Sequence, residues 1–168
     1  MRLRPLALTV SAAAGFALVV WHPAASTIAL PLFPSVLGLQ SVTNFEALAQ
    51  DLSKKGVKAC APAAIMGKSG VKHEFAFALL PEGGKVKVVV DTELSVNEVD
   101  EMKVLKFYVK VFDVGPEKAI LCVSPKLNGR AAVLAHEYGI QVFEDDIPKK
   151  LVGLAKKAVE ETLAGESK

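Results

Sequence analysis

The stretch that decides the fold reads Gly67-Lys-Ser-Gly-Val-Lys-His73-Glu-Phe-Ala76, and fifteen residues beyond it stands Asp91-Thr-Glu93. A glycine-punctuated turn leads into a short strand, and a second, apolar strand ends in the two acids. Side chains alternate between the faces of a strand, so Asp91 and Glu93 point the same way, about 6.5 Å apart. Two carboxylates in this position could bind Mg²⁺, which prefers hard oxygen ligands.

The charge distribution divides the chain into two parts. There is no Asp, Glu, Lys or Arg between Arg4 and Glu46, and Arg2 and Arg4 account for the whole net charge of +2. The rest of the chain is neutral, and its length suffices for one core of ordinary size. A neutral domain lacks the general basic field that is typical of nucleic-acid binding, so such binding would need a local patch.

The uncharged segment 5–40 is too long for one membrane helix of roughly 20 residues and short for two. Three interpretations stay open. A signal peptide fits the small residues Ala24-Ala25-Ser26. A single anchor helix over residues 5–21 fits Trp21 as an interfacial aromatic residue. A helical hairpin would turn at His22-Pro23. We predict membrane attachment through this segment.

The rest of the chain alternates between helical and strand patterns. Glycine and proline residues mark the turns between them, above all in the hairpin at residues 81–84. The predicted elements are helix 41–55, strands 57–60, 71–80 and 86–93, helix 95–112, strand 119–124, helix 128–138, strand 140–143 and a terminal helix from Pro148.

The helix over residues 95–112 carries two stripes. A capping box from Ser95 to Glu98 is expected to start it. Three lysines at helical spacing, Lys103, Lys106 and Lys110, form the basic stripe. The apolar stripe, which we expect to face the core, consists of Val99, Met102, Leu105, Val109 and Phe112.

The layout resembles the PD-(D/E)xK nuclease superfamily, in its Mrr-type restriction endonuclease branch. The resemblance covers residues 43–144. It rests on the Gly-x-Ser-Gly-x-x-His turn, on the acidic end of the third strand and on the helix that contains Phe107-Tyr-Val-Lys-Val-Phe-Asp113. It implies an α/β fold of the restriction endonuclease-like type, a mixed sheet with helices on both faces and the element order α-β-β-β-α-β-α-β-α.

The resemblance also implies a site, with substitutions at two of its positions. In this superfamily two carboxylates hold Mg²⁺ and a lysine helps position or deprotonate the attacking water. Asp91 matches the acid of the third strand, Glu93 occupies the lysine position, and Ala76 stands where the second-strand acid is expected. Glu74, two residues before, could substitute for that acid, and Lys103 on the next helix could supply the missing lysine.

The predicted site residues therefore fall into three groups. The catalytic residues are Asp91, Glu93, Glu74 and Lys103, and the Mg²⁺ ligands are Asp91, Glu93 and Glu46 of the first helix. The DNA-binding residues are Lys103, Lys106, Lys110, His73, Lys68 and Ser69. The alternatives are purely structural: acids that end a strand before a helix, lysines on a solvated helix face, and a hydrogen-bonded histidine in a turn.

The function that follows is a membrane-tethered nuclease-like domain over residues 41–146, with an anchor or signal segment over 1–40 and an amphipathic helix and tail over 147–168. We predict a degenerate or weak Mg²⁺-dependent DNA endonuclease that binds nucleic acid, with DNA, the membrane and a second copy of the chain as partners. The alternative is a non-catalytic, membrane-tethered interaction module. A nuclease-like domain belongs with nucleic acid, so we expect it on the cytoplasmic side; an exported or external domain is the other topology.

Overall fold

The computed structural model describes residues 45–80 and 85–165. The predicted membrane segment 5–40 lies outside the described residues, and no helix inside them is long and apolar enough to cross a bilayer. In chain order the elements are α1 (Glu46–Lys54), β1 (Ala59–Cys60), β2 (Ala63–Met66), β3 (Lys72–Phe75), β4 (Phe77–Leu79), β5 (Val88–Leu94), α2 (Glu101–Val114), β6 (Lys118–Ser124), α3 (Gly129–Glu137), β7 (Gln141–Glu144) and α4 (Pro148–Ala164).

Five of these strands form one mixed sheet in the order β1-β4-β5-β6-β7. The pairs β1–β4 and β4–β5 are antiparallel, whereas β5–β6 and β6–β7 are parallel. Parallel neighbours need a crossover connection, which α2 and α3 provide. The prediction of a mixed α/β sheet is confirmed. The strands β2 and β3 form a separate antiparallel hairpin that the sequence did not indicate.

The helices cover both faces of the large sheet. On one face α1 and α4 contribute Leu52 and Leu151 to a buried cluster that includes Val88 and Val90 of β5. On the other face α2 and α3 contribute Phe107 and other apolar residues to a cluster around Val89. The alternation along β5 therefore assigns its odd-numbered residues to the α2 face.

The strand predicted over residues 71–80 is two strands, because the chain bends at Ala76. Phe75 packs in the cluster on the α2 face, while Ala76 and Phe77 both pack in the cluster on the opposite face. Two consecutive residues on one face break the alternation of a regular strand. The bend frees β3 from the large sheet, so it pairs with β2 instead, in the register Ala63↔Phe75.

The prediction for α2 is wrong in its start and in its buried face. Asp100 is the N-cap residue, and its side chain accepts the backbone N–H of Lys103 at 3.2 Å. The residues that the helix buries are Val104 and Phe107. The stripe expected to be buried is largely exposed, at 56% for Met102, 60% for Val109 and 70% for Phe112.

A polar clamp built on Asp113, at the end of α2, attaches the β2–β3 hairpin to the helix. Its carboxylate accepts the backbone N–H of Ser69 at 2.8 Å and the Ser69 hydroxyl at 2.6 Å. His73 Nε2 lies 2.7 Å from Oδ2, and this nitrogen must carry the proton because an ionised carboxylate can only accept. A Cβ at Gly67 would overlap the Asp113 carboxylate, so any other residue here would displace that carboxylate.

The clamp predicts an acid-sensitive contribution to stability. The Ser69 hydroxyl, then His73, then the Ser69 backbone N–H lower the pKa of Asp113 from 3.8 to about 2. A lowered pKa in the folded state means that the ionised form stabilises the fold: the contribution is complete above pH 3.8 and is lost as the pH falls through about 2. Urea unfolding at a series of pH values should show Asp113→Asn less stable than the parent above pH 3.8, with the difference shrinking below it.

Ser69→Ala provides the internal control for this measurement. Because it removes the largest cause of the lowered pKa, it should move the midpoint of the acid loss upward, toward the ordinary value. Parallel stability curves for the parent and Asp113→Asn across the acid range would contradict the role given to the clamp.

Candidate functional site

The two acids of β5 stand on one face, as predicted, and that face is covered by α2. Both lie in the parallel ladder with β6, where Asp91 pairs with Leu121 and Glu93 with Val123. Because they alternate with Val90 and Thr92, they share a face with Val89, whose side chain packs in the α2 cluster. The carboxylates thus meet the lysine stripe of α2 instead of open solvent.

Lys110 makes the central contact of the site. Its Nζ donates to Asp91 Oδ2 at 2.7 Å and to the backbone carbonyl oxygen of Glu74 at 2.9 Å. It also lies 5.4 Å from the centroid of the Phe75 ring, within the range of a cation–π interaction. An ammonium has three N–H donors, so one donor remains beyond these two hydrogen bonds.

The other two lysines of the stripe differ in their engagement. Lys103 Nζ lies 3.0 Å from Glu93 Oε2, in an ion pair whose side chains are 47% and 27% exposed. Such half-exposed pairs are individually weak. Lys106 stands between Lys103 and Lys110 in the sequence, is exposed, and its ammonium forms no hydrogen bond or ion pair with the other described residues. It is therefore the lysine of the stripe best placed to contact a ligand.

The predicted metal ligands are not brought together. Glu46 begins α1, which packs on the opposite face of the sheet from Asp91 and Glu93. Glu74 alternates with His73 and Phe75, which both contact α2, so its carboxylate points away from that helix. Across residues 45–80 and 85–165, no group of three or more His, Cys, Asp or Glu side chains could hold a metal ion.

The position of Ala76 explains part of this. The β4–β5 ladder pairs Phe77 with Val90 and Ala78 with Val89. The ladder ends there, because the chain bends at Ala76, and Ala76 packs with Phe77 in the cluster on the face opposite Asp91. Position 76 therefore provides no ligand beside Asp91. The described residues therefore do not fit a Mg²⁺ ion.

The predicted DNA-binding residues of the turn take part in the clamp. Ser69 and His73 both bond to Asp113. The Lys68 backbone N–H donates to the Asp113 carbonyl oxygen at 3.0 Å, and its ammonium lies against Gly115, at the C-terminus of α2. A cation there interacts favourably with the helix dipole. Each of these three residues thus has a structural partner.

Asp113 is the residue that the sequence analysis missed. The signal was present, since Asp113 follows Lys103, Lys106 and Lys110 at offsets of ten, seven and three residues, on the same helix stripe. Together with the three lysines, Asp113 forms one polar face of α2. This face contacts the end of β5 and, further along the helix, the β2–β3 hairpin.

The sequence itself has no match at a significant level, either to a protein-family model or to a curated protein. Similarity appears in the comparison with solved structures. Can2 from Sulfobacillus thermosulfidooxidans, in complex with cyclic tetra-adenylate, superposes with a TM-score of 0.50 at 17% identity over 71% of this chain. Protein VC1899 from Vibrio cholerae gives 0.50 at 14% identity over 74%. The protein of unknown function AF1548 gives 0.47 at 15% identity over 60%.

The matched region is a part of each of these proteins, amounting to 34% of Can2, 34% of VC1899 and 56% of AF1548. At such identities a similarity establishes the fold alone. The described residues thus share a mixed α/β fold with the matched parts of Can2 and VC1899.

Proposed function

We propose that this chain is a nuclease-fold domain of the restriction endonuclease-like, Mrr-related type that binds nucleic acid without cutting it. The observation that carries the proposal is the contact between Lys110 and Asp91. The carboxylate that the nuclease resemblance assigns to a metal ion is bonded instead to an ammonium of the same chain.

The Lys110 ammonium takes the place of a metal ion at this site. It contacts one carboxylate oxygen and one backbone carbonyl oxygen, and oxygens of these two kinds are also ligands for hard metal ions. A lysine neutralises Asp91, but it cannot lower the pKa of a bound water as a divalent metal does. The site therefore retains positive charge for a phosphate and lacks the means to generate a nucleophile.

Phosphate binding would use the positive charge of the lysine stripe that no acid of the site balances. Lys103 and Lys110 are balanced by Glu93 and Asp91, while Lys106 is not balanced by a described residue. The remaining N–H donor of Lys110 adds a second group for a phosphate oxygen. So small an excess of charge favours weak, salt-dependent and sequence-independent binding.

We expect the purified chain to leave supercoiled plasmid DNA uncut with Mg²⁺ or Mn²⁺. Ala76→Asp combined with Glu93→Lys would restore the two substituted positions in the sequence, and Lys110→Met would release Asp91 from its ammonium. Because Ala76 packs on the face opposite Asp91, even this triple variant should show no metal-dependent nicking in a gel assay. Cutting by the parent chain that disappears in Asp91→Ala would show that the proposal is wrong.

The lysine stripe is tested by the salt dependence of DNA binding. Lys106→Ala should weaken the binding of a fluorescent duplex at all sequences alike and reduce the slope of log K against log salt by about 0.9, the value for one phosphate contact. Lys149→Ala is the matched control, because Lys149 is exposed on α4, on the opposite face of the sheet. Equal effects of the two variants, or none in either, would remove the local support for nucleic-acid binding.

A second candidate is the non-catalytic interaction module. The observation that favours it is the exposed apolar stripe of α2, with Phe112 70% exposed. Exposed apolar residues that lie together on one face of a helix are typical of interaction surfaces. The two candidates are compatible, since the apolar stripe and the lysines occupy different sides of the helix.

Membrane attachment through residues 5–40 is a separate part of the proposal, supported by the absence of charge between Arg4 and Glu46. The full-length chain should sediment with membranes and resist carbonate extraction, because transferring so long an apolar segment back to water is unfavourable. With the domain on the cytoplasmic side, protease added to intact cells should leave it undigested. A full-length chain released by carbonate, or a domain digested from outside, would contradict the corresponding half of this prediction.

A further inference from the structure

The strongest surface feature outside the candidate site is the outward face of α2. Met102, Val109 and Phe112 are each more than half exposed, and Leu105 is partly exposed between them. We call these four residues the outer stripe. With about 100° of rotation per residue, all four lie within about 40° of the direction opposite Phe107, the fully packed residue at the centre of the inward face. The stripe thus points straight away from the core.

We propose that the outer stripe pairs with the outer stripe of a second copy of this chain, in an antiparallel, two-fold helix contact. The spacing of the stripe carries this inference. Met102 and Phe112 stand five residues on either side of Phe107, and Leu105 and Val109 stand two residues on either side. An antiparallel pair centred on Phe107 therefore sets Met102 against the copy's Phe112, and Leu105 against its Val109. Such reciprocal contacts define an isologous interface.

The flanks of α2 are compatible with this pairing. Lys103, Lys110 and Asp113 lie on one flank, where they contact β5 and the hairpin, and Lys106 lies on the same flank. On the other flank Tyr108 stacks on Tyr138, beyond the end of α3, with ring centroids 4.0 Å apart. No described residue covers the outer stripe, so a second helix can approach it without displacing a neighbour.

The geometry also fixes where the lysines of both copies would lie. In an antiparallel pair the two-fold axis is perpendicular to both helices and lies in the contact plane, so it carries one flank onto the same side of the pair. Both lysine flanks would therefore face one side of the dimer. One duplex could then contact both copies on that side. This consequence rests on the proposed nucleic-acid binding, whereas the dimer itself does not.

The size of the contact indicates a weak dimer. The 14-residue α2 is about 21 Å long, and a single helix pair of that length buries less than the roughly 800 Å² per partner of a standard stable interface. We therefore expect association in the micromolar range, which depends on protein concentration.

Sedimentation equilibrium of the full-length chain in mild detergent tests the proposal. The parent should change from monomer to dimer as its concentration rises. Val109→Glu should raise the dimer dissociation constant at least about 100-fold, since it places a charge in the apolar contact. Val133→Glu is the matched control: Val133 is 61% exposed on α3, against 60% for Val109, and its variant should dimerise as the parent does. Circular dichroism verifies that both variants fold.

The antiparallel register has its own test. Because position 105 faces position 109 of the copy, mixing the Val109→Glu chain with a Leu105→Lys chain should restore dimers that neither forms alone. Mixing Val109→Glu with Val109→Lys should not restore them. A monomeric parent, equal effects of Val109→Glu and Val133→Glu, oligomers that ignore Val109→Glu, or failure of the Leu105→Lys mixture would each overturn the proposal. These experiments contain no DNA, so the dimer proposal can fail or succeed independently of nucleic-acid binding.

Discussion

The contact of Lys110 with β5 and the hairpin is the interaction on which the rest of the structure depends. One ammonium is bonded to Asp91 of the central sheet and to the carbonyl oxygen of Glu74 in the hairpin. Charge-assisted hydrogen bonds are stronger and shorter than neutral ones, and here a single group fixes three elements together. It agrees with the rotation of α2 that the burial of Val104 and Phe107 requires, because the lysines then face the acids. Phe107 then faces the core and the outer stripe faces away from it.

The sequence predicted the elements of the fold better than their orientation. The apolar runs of β5 and β6 and the glycine turns were sufficient to locate the mixed sheet. The hairpin partner of β3 was missed because β2 is only four residues long, too short to give a clear periodic signal. The buried face of α2 was mispredicted because the helix carries apolar residues on two opposite sides, around Phe107 and around Val109. Only the contacts made by its lysines distinguish them.

The site was predictable only in part, because sequence periodicity gives the face of each element but not which faces meet. Strand alternation alone puts Asp91 and Glu93 on one face, and helical spacing alone puts the three lysines on one stripe. Neither pattern predicts that the acids and the lysines face each other, because this depends on which side of the sheet the crossover helix covers. Glu46 was grouped with the acids although α1 covers the other side, a placement that periodicity along one helix cannot encode.

Competition between a tethered ammonium and a metal ion explains how such a site can be stable without Mg²⁺. The lysine is held beside Asp91 by its own helix, so its local concentration is that of an intramolecular group. Mg²⁺ must lose part of its tightly held water to displace it, and among the described residues no group of three possible ligands could hold the ion. The carboxylate is neutralised in either case, but only the lysine does so as part of the folded chain. In a domain arranged in this way, the acids at the end of β5 and Lys103 and Lys110 of α2 neutralise each other within the folded chain.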